Sequence, residues 1–307
     1  MNVIGIDTSN YTTSIAFFDG IDGENCSRLL PVKQGELGLR QSDAVFAHIK
    51  SLPELSDRLF SHVQPEKINA VGVSTRPRAV AGSYMPCFMV GYSHAKLLAD
   101  ALRVPLIEVS HQQGHVAASL WSSGHMELMK EPHLAWHLSG GTTELLLVEP
   151  EGSNVKCSKI GGTTDISAGQ LIDRTGQLLE LPFPSGKHLD ALSAEAVRKD
   201  VFKVKCSNMA FSLSGVQNKV QQYHSQYADT RETAAYALRC VAQAVNLATQ
   251  QAMKEYPGLR VVFSGGVASN SMLRRVVEPL NPIFSQPQFS TDNAMGVAVL
   301  TYRAMEA

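Results

Sequence analysis

Short apolar runs rich in β-branched residues alternate along the chain with longer segments of helical periodicity. In the first half, the runs NVIGID and INAVGVST predict buried strands, and TTSIAFFDG predicts the hairpin partner of the first. Between 85 and 102 the apolar residues recur at helical spacing, and PLIEV predicts a further strand. Strands and helices that alternate in this way indicate an α/β protein.

The second half begins with the same pattern. The segment HLAWHLSGGTTELLLVEPEG predicts a strand, a Gly-Gly turn and a second strand, as in the opening hairpin. GQLIDRTGQLLE and the stretch 229–256 predict helices, and RVVFSGGVASNSMLRRVV predicts a strand, a glycine turn and a helix. Because the length of 307 residues favours more than one domain and each half starts with a hairpin, we expect two related lobes.

The charge balance narrows the range of partners. With 27 Lys and Arg against 28 Asp and Glu, the net charge of −1 supplies no overall field that attracts nucleic acid, so an RNA ligand would need a local basic patch or a partner protein. The five cysteines are dispersed without a Cys-x-x-Cys pair, which is typical of reduced thiols. No signal peptide and no membrane-spanning run are predicted. We therefore expect a cytoplasmic protein without a membrane partner.

Two histidines, His111 and His115, stand four residues apart directly after the strand PLIEV, where Ser110 suits a helix N-cap. On a helix they share one face, with Cβ atoms about 5–6 Å apart, which lets two imidazoles bind one metal ion. Asp292 follows a short extended segment and precedes an apolar helix, and its carboxylate is the candidate third ligand. Such a set leaves coordination positions open for a substrate. The alternative is that the histidines cap, pack or face solvent.

The same histidine spacing is typical of zinc proteases, in which a glutamate beside the first histidine is the general base. Here that position is Gln112, whose amide cannot take up a proton at neutral pH. Peptide hydrolysis by that mechanism is therefore disfavoured. A metal at this site would instead orient a ligand and polarise one of its oxygens.

Three glycine-rich turns, LSGGTTE, FPSGKHLD and FSGGVASNS, are candidates for a nucleotide site. Glycine lets a backbone approach a phosphate, and the amides at a helix start favour negative charge. A single Gly-Gly turn is usually structural, but three at strand ends favour a nucleotide cleft. Asp173 and Asp190 are placed to bond ribose hydroxyls, or else are surface carboxylates.

Seven motifs, taken together and in order, resemble the TsaD family, which includes the archaeal and eukaryotic KEOPS subunit. They are GIDTS, SHQQGH, LSGGTTEL, AGQLIDRTGQLLELPFPSG, FSLSG, VFSGGVASNSMLR and STDNA. The resemblance implies an ASKHA fold, which is an α/β fold of two actin-like lobes around a nucleotide and metal cleft. We place the first lobe at 1–108 plus 293–307, and the second, with the metal and nucleotide motifs, at 109–292.

The resemblance also implies an acyltransferase, which moves a threonylcarbamoyl group from an adenylate to N6 of the adenosine next to a tRNA anticodon. Carried over by motif, His111, His115 and Asp292 would bind one divalent metal, iron or zinc, and the ligand would be ATP or an acyl-adenylate. The residues implied on the ligand side are Leu138, Ser139, Gly140, Gly141, Thr142, Asp173, Gly186, Asp190 and Asn270. The glycine turn would face the phosphate or carbamoyl end, the two aspartates and Gly186 the ribose, and Asn270 would close the site.

The family further implies partners, namely tRNA, a paralogous ASKHA subunit and other proteins of its complex, with a homodimer as an alternative. The amine nucleophile belongs to the RNA, so no protein nucleophile is required. The basic segments that favour RNA contact are Arg76 with Arg78, and the run RKDVFKVK at 198–205.

The opening loop departs from the family pattern E-T-S-C-D-E-T. It is DTSNYTT here, so Asp7 takes the place of the first glutamate, and Tyr11 and Thr12 replace the acidic pair. These three residues are the candidates for a catalytic role in the loop, where loss of an acid removes a general base or a group that orients ligand. Thr142 stands where the family has histidine, and Asp165 is the acid left from D-D-A-A-G-E.

Three functions therefore stay open. The first is the threonylcarbamoyltransferase. The second is a divergent ASKHA paralogue that binds nucleotide and metal but uses another acceptor or acts as a non-catalytic partner. The third is a metalloprotease, which Gln112 disfavours.

Overall fold

The computed structural model describes residues 1–9, 11–31 and 39–307, so Asn10 of the opening loop lies outside the described residues. The strands are β1 (Asn2–Ser9), β2 (Thr12–Phe18), β3 (Gly23–Leu29), β4 (Ile68–Arg76), β5 (Leu106–Ser110), β6 (His133–Leu138), β7 (Thr143–Glu151), β8 (Asn154–Thr163), β9 (Cys206–Ser207), β10 (Ala210–Phe211), β11 (Val261–Ser264) and β12 (Ile283–Phe284).

Helices alternate with these strands, as the periodicity predicts for an α/β protein. They are α1 (Gln41–Phe60), α2 (Phe88–Leu102), α3 (His111–Ser123), α4 (Ala168–Leu178), α5 (Gly186–Ser193), α6 (Ser214–Tyr227), α7 (Thr230–Glu255), α8 (Ser271–Val277), α9 (Pro287–Ser290) and α10 (Met295–Glu306). Across the described residues, none of the helices combines the length and the apolar character needed to cross a membrane.

The chain divides into two compact units, and the division differs from the one expected from sequence. The first unit comprises Met1–Glu131, Glu149–Cys157 and Asp292–Ala307; the second comprises Pro132–Val148 and Ser158–Thr291. Residues 109–131, which the sequence division placed in the second lobe, thus lie in the first unit. The physical reason is that β5 pairs with β4, and that α3 packs against α10.

The first unit contains a five-stranded sheet in the order β3-β2-β1-β4-β5. The strands β1, β2 and β3 pair antiparallel, whereas β4 pairs parallel to β1, and β5 pairs parallel to β4. The alternating residues Ile4 and Ile6 of β1 join Val71 and Val73 of β4 in one apolar core. That core also receives apolar side chains from α1 and α2.

Helix α2 is shorter than the sequence periodicity predicts. It begins at Phe88 instead of residue 85, because the segment Met85–Cys87 forms a turn in which Met85 O accepts a hydrogen bond from Phe88 N at 3.2 Å. Pro86 accounts for this start, since the residue before a proline is disfavoured in the α conformation. The apolar side chains at 85–87 therefore belong to the approach to the helix.

The second unit repeats the strand order of the first. Its sheet runs β12-β11-β6-β7-β8-β10-β9, so the five strands β8-β7-β6-β11-β12 correspond to β3-β2-β1-β4-β5. In both sheets a hairpin opens the unit and two parallel strands extend the other edge. The prediction of two related lobes is confirmed at the level of topology.

Helix α7 supplies the centre of the second core. The structure confirms the helix predicted at 229–256, and Asp229 is its N-cap, accepting hydrogen bonds from Arg231 N and Glu232 N. Small residues on α7, among them Ala237, Ala244 and Ala248, are fully buried against the sheet, where Trp136 and Phe263 are also fully buried. An alanine-lined face lets a long helix approach the sheet closely.

A second local prediction, besides the start of α2, is wrong. The segment before Asp292 was expected to be extended, but Pro287–Ser290 form the short helix α9. Proline at the first helical position has a backbone angle suited to a helix start, and it loses no hydrogen bond there. The second part of that prediction, an apolar helix after Asp292, is confirmed by α10.

Candidate active site

The start of α3 determines where the two histidines lie. Ser110 ends β5 and caps the helix: its Oγ accepts from Gln113 N at 3.3 Å, and Gln113 Oε1 accepts from Ser110 N at 2.9 Å. This reciprocal pair is a capping box, and it fixes His111 as the first helical residue. The N-cap that the sequence predicted at Ser110 is confirmed. His111 and His115 therefore follow one another by one turn on the same face.

A contact between two helices brings Asp292 to these histidines. Glycine at 296 lies so close to α3 that a Cβ there would be 1.8 Å from the carbonyl oxygen of Gly114 and 2.9 Å from Ala118 N. The absence of a side chain thus allows α10 to lie directly on α3. Asp292, three residues before α10, is thereby placed beside the histidine pair.

Three candidate ligand atoms form a small triangle at this point. His111 Nε2 and His115 Nε2 are 2.9 Å apart, and Asp292 Oδ1 lies 3.1 Å from His115 Nε2 and 3.5 Å from His111 Nε2. Bonds of about 2.1 Å to one ion would separate ligand atoms by about 3.0 Å in octahedral and about 3.4 Å in tetrahedral geometry. The triangle has the size and the donor atoms that one transition-metal ion requires.

The charges around the triangle favour a cation. Burial alone would raise the pKa of Asp7, but the attraction of His111, whose Nδ1 lies 3.0 Å from Asp7 Oδ1, outweighs it and lowers that pKa. Burial opposes protonation of His111, yet Asp7 and Asp292 raise its pKa to about 10. The same histidines hold the pKa of Asp292 well below its ordinary value, against burial. The carboxylate of Asp292 thus borders the position that a metal ion would occupy, and that of Asp7 lies on the other side of the His111 ring.

The three candidate residues of the opening loop, Asp7, Tyr11 and Thr12, lie in different environments. Asp7, near the end of β1, is fully buried and accepts hydrogen bonds from Ser74 Oγ and, at 3.4 Å, from Ser9 N. Thr12 begins β2 opposite Ser9 and is buried. Tyr11 is half-buried, and its carbonyl oxygen accepts from Leu30 N at 2.8 Å.

In the second unit, the turn between β6 and β7 is closed by its own polar groups. Ser139 N donates to Thr142 O at 2.8 Å, and Thr142 N donates to Ser139 Oγ at 3.1 Å. The N-cap of α4 packs on this turn, because Ser167 Oγ donates to Gly140 O at 2.6 Å. A Cβ on Gly140 or Gly141 would meet no atom within 4 Å, so the outer side of the turn is open.

The third glycine turn lies next to the first, and the second is linked to the third. Gly265 has a φ of 91°, and a Cβ there would be 2.1 Å from Leu138 O at the end of β6. Asn270 Nδ2, in the same turn, donates to Asp190 Oδ1 at 2.8 Å, which connects it to α5. The first and third turns therefore lie together at the carboxyl ends of β6 and β11, and the second turn, between α4 and α5, joins the third through Asp190. Ligands of α/β proteins bind at such strand ends.

The two aspartates beside these turns have structural partners. Asp190 accepts from Ser271 N at 3.1 Å and from Ser271 Oγ at 2.8 Å, as well as from Asn270, so it is tied to the start of α8. Asp173 Oδ1 accepts from Ser185 N at 2.9 Å, directly before Gly186, the first residue of α5. Burial raises the pKa of Asp173. Both carboxylates thus lie beside the glycine turns.

Sequence reasoning missed Ser74, Gly114 and Gly296. Ser74 belongs to no motif, and only its position on β4, next to β1, brings it to Asp7. The glycine within HQQGH was an available signal, because a glycine inside a helix often marks a close approach by another element. Gly296, its neighbour in space, is far away in sequence.

Solved structures with the same fold define the class of protein. Full-length HypF in its phosphate- and nucleotide-bound form aligns with a TM-score of 0.63 and 15% identity, over 100% of this chain and 47% of that chain. This chain therefore spans about half the length of HypF. Component A of (R)-2-hydroxyglutaryl-CoA dehydratase from Acidaminococcus fermentans aligns with a TM-score of 0.60 and 16% identity, over 100% of both chains. The fold is an ASKHA fold.

Sequence comparison identifies the family within that class. A model of TsaD, described as tRNA N6-adenosine threonylcarbamoyltransferase, matches residues 35–299. A protein with that name from Carboxydothermus hydrogenoformans is 30% identical over 316 aligned residues, which cover 98% of this chain and 91% of the relative. This chain belongs to the TsaD family.

Proposed function

We propose that this protein is an acyltransferase that moves a threonylcarbamoyl group from an acyl-adenylate to N6 of the adenosine next to the anticodon of tRNA. The observation that carries the proposal is the triangle of His111, His115 and Asp292, with ligand atoms 2.9–3.5 Å apart, in a chain of the TsaD family. In the reaction, the RNA amine forms a C–N bond to the carbamoyl carbon. The bond from that carbon to the phosphate oxygen breaks, AMP leaves, and the amine loses a proton.

Each unit contributes a separate binding function. His111, His115 and Asp292 would hold one divalent ion, iron or zinc, which supplies a Lewis acid and a positive charge when bound. In the second unit, the turn from Leu138 to Thr142 would bind the phosphate or carbamoyl end through its backbone. Asp173, Gly186 and Asp190 would bind the ribose, with Asn270 positioned by Asp190. These groups orient the ligand and stabilise charge on the leaving phosphate.

Reconstitution tests the transfer directly. The purified protein would be combined with an adenylate-forming synthase, the partner proteins of the family, ATP, threonine, bicarbonate and tRNA. Nucleosides from the digested tRNA would then be separated by mass. We expect threonylcarbamoyladenosine in the complete reaction and none without this chain. Absence of product with every partner present would contradict the proposal.

A second function has one observation in its favour. The opening loop has Tyr11 and Thr12 where the family has acids, and Thr12 is buried in β2, so this loop offers no carboxylate at either position. A divergent paralogue would bind ADP or ATP without transferring the group to tRNA. Nucleotide binding measured by calorimetry, together with no product in the reconstitution, would identify this case.

The nucleotide site can be tested through Asp173. We expect Asp173→Ala to weaken ADP binding by about 10–100-fold, because a charged acceptor contributes about 1.5–3 kcal/mol per hydrogen bond. Isothermal calorimetry measures the change. Asp100→Ala is the matched control, since Asp100 is an exposed residue of α2 that pairs with Lys96. Equal ADP affinity in Asp173→Ala and the wild type would remove Asp173 from the site.

Of the two basic segments, 198–205 has the better support as an RNA contact. It contains four cationic side chains and one acidic one, and the acid, Asp200, accepts a hydrogen bond from Tyr223 OH at 2.9 Å. The backbone is anchored, because Phe202 N donates to Cys240 Sγ at 3.3 Å and Val204 is buried in the core. The lysines at 199, 203 and 205 remain exposed. An immobilised row of exposed lysines suits a phosphate backbone.

Charge reversal tests this RNA contact. The double variant Lys203→Glu with Lys205→Glu is expected to weaken tRNA binding at least about tenfold and to lower the slope of log K against log salt by about one for each lost phosphate contact. Fluorescence anisotropy at several salt concentrations measures both. The control is Lys254→Glu, an exposed lysine in the last turn of α7. A slope equal to that of the wild type would place the RNA elsewhere.

The proposal includes partners and a location. Because the net charge of −1 gives no overall attraction to RNA, we propose that this chain engages tRNA together with a paralogous ASKHA subunit and other proteins of the family's complex. A homodimer is the alternative. All five cysteines are free thiols, which supports the cytoplasm as the location. Size-exclusion chromatography with light scattering distinguishes the homodimer from a heteromeric assembly.

A further inference from the structure

We propose that Asp7 and Ser74 are positioning residues that hold His111 in the orientation and tautomer that metal binding requires. The inference rests on the proposed metal site. It concerns two side chains that lie behind the ligand triangle: Asp7 Oδ1 is 3.0 Å from His111 Nδ1 and also accepts the hydroxyl proton of Ser74. All three residues belong to the first unit.

The two nitrogens of His111 have separate partners. Nδ1 faces Asp7, whereas Nε2 is the atom that lies 2.9 Å from His115 Nε2 and 3.5 Å from Asp292 Oδ1. A carboxylate can only accept a hydrogen bond, so Asp7 selects the form of the ring with its proton on Nδ1. The lone pair of Nε2 is then directed at the metal position. A carboxylate behind a ligating histidine has this effect in metal sites generally.

The position of Asp7 is fixed by the sheet. Asp7 lies on β1 opposite Ser14 of β2, and Ser74 lies on the neighbouring strand β4. Asp7 and Ser74 are both fully buried, so neither carboxylate nor hydroxyl has water as an alternative partner. The hydroxyl of Ser74 and the amide of Ser9 restrain the carboxylate from two sides. The ring of His111 is therefore held by main-chain elements and not by a mobile loop.

Cobalt binding tests the assignment, because Co²⁺ reports its ligands through visible absorption and paramagnetically shifted proton resonances. In the full-length protein, we expect Asp7→Asn to weaken Co²⁺ binding by about 10–100-fold, the range typical of groups that orient a ligating histidine. Ser74→Ala should weaken it less, since Asp7 remains. The exchangeable ring N–H resonance of His111 should be sharp in the Co²⁺-bound wild type and broadened or lost in Asp7→Asn. A purely structural role would leave that resonance unchanged.

Matched controls separate the possible outcomes. Asp100→Asn and Ser93→Ala make the same chemical changes on α2, in the first unit, and should bind Co²⁺ as the wild type does. Wild-type spectra and affinity in both Asp7→Asn and Ser74→Ala would overturn the positioning role alone. Absence of Co²⁺ binding by the wild type, or binding that survives His115→Ala unchanged, would overturn the proposed metal site and the inference with it.

Discussion

His115→Ala is expected to lower metal affinity by more than about 100-fold and to reduce threonylcarbamoyl transfer to background. The expected loss exceeds the 10–100-fold effect typical of groups behind the ligands, because one of three protein ligands is removed outright. His115 is buried, and its Nε2 lies within 3.1 Å of both other ligand atoms, so a water molecule in the resulting space would be a weak substitute. Metal content of the purified protein and modified nucleoside per tRNA measure the two effects.

A histidine elsewhere in the first unit provides the control for this substitution. His94→Ala removes an exposed imidazole from α2, whose Nδ1 lies 2.8 Å from Val90 O. Metal content and transfer should stay at wild-type values. Full transfer by His115→Ala that contains no metal would show that the reaction proceeds without the ion, and it would end the proposal for this site.

Gly296→Ala is expected to unfold the first unit at a lower temperature and to abolish metal binding. The added Cβ would lie 1.8 Å from the carbonyl oxygen of Gly114, and backbone cannot move aside as a flexible side chain does. Overpacking of this kind costs about 1–3 kcal/mol or more. At about 2–4 °C per kcal/mol for a large domain, Tm should fall by roughly 2–12 °C. The shift of α10 would also carry Asp292 away from the histidines.

Alanine substitutions at two other glycines serve as controls for Gly296→Ala. Gly114→Ala lies in the same helix contact, but its Cβ would meet Val297 Cγ2 at 3.4 Å, an ordinary contact, so the loss of stability should be small. Gly215→Ala on α6 would meet nothing within 4 Å and should stabilise the helix by about 0.5–1 kcal/mol. Calorimetric Tm values and Zn²⁺ titrations of the three variants give the comparison. Equal Tm and equal metal affinity in Gly296→Ala and the wild type would show that α10 and α3 are farther apart.

The sequence predicted the parts of the site that depend on neighbouring residues. Ser110 as N-cap, the helix behind it and the shared face of the two histidines all follow from local rules, and the structure confirms them. The same holds for the hairpins that open the two units. Asp292 was selected because it precedes an apolar helix, but only the folded chain shows its oxygen 3.1 Å from His115.

Contacts between distant elements were beyond such reasoning. The position of Ser74 depends on which strand pairs with β1, and the tight approach of α10 depends on a glycine that no local rule assigns to a helix interface. The compact units differ from the expected lobes for the same reason, since α3 follows the fifth strand in sequence yet packs with the last helix. The position of Ser74, the approach of α10 to α3 and the division into units all depend on tertiary pairing and not on local propensity.

The separation of 177 residues between His115 and Asp292 has a consequence for biosynthesis. The elements β1 to α3 are synthesised early in translation. Asp292 and α10 are synthesised after the whole second unit. At about 5–20 residues per second, the ribosome takes roughly 9–35 s to travel from α3 to α10. During that interval the nascent chain has two histidines and no carboxylate to close the triangle. A metal ion at this triangle would therefore be held by all three side chains only after Asp292 has been synthesised, and a polypeptide truncated before Asp292 would lack the third candidate ligand.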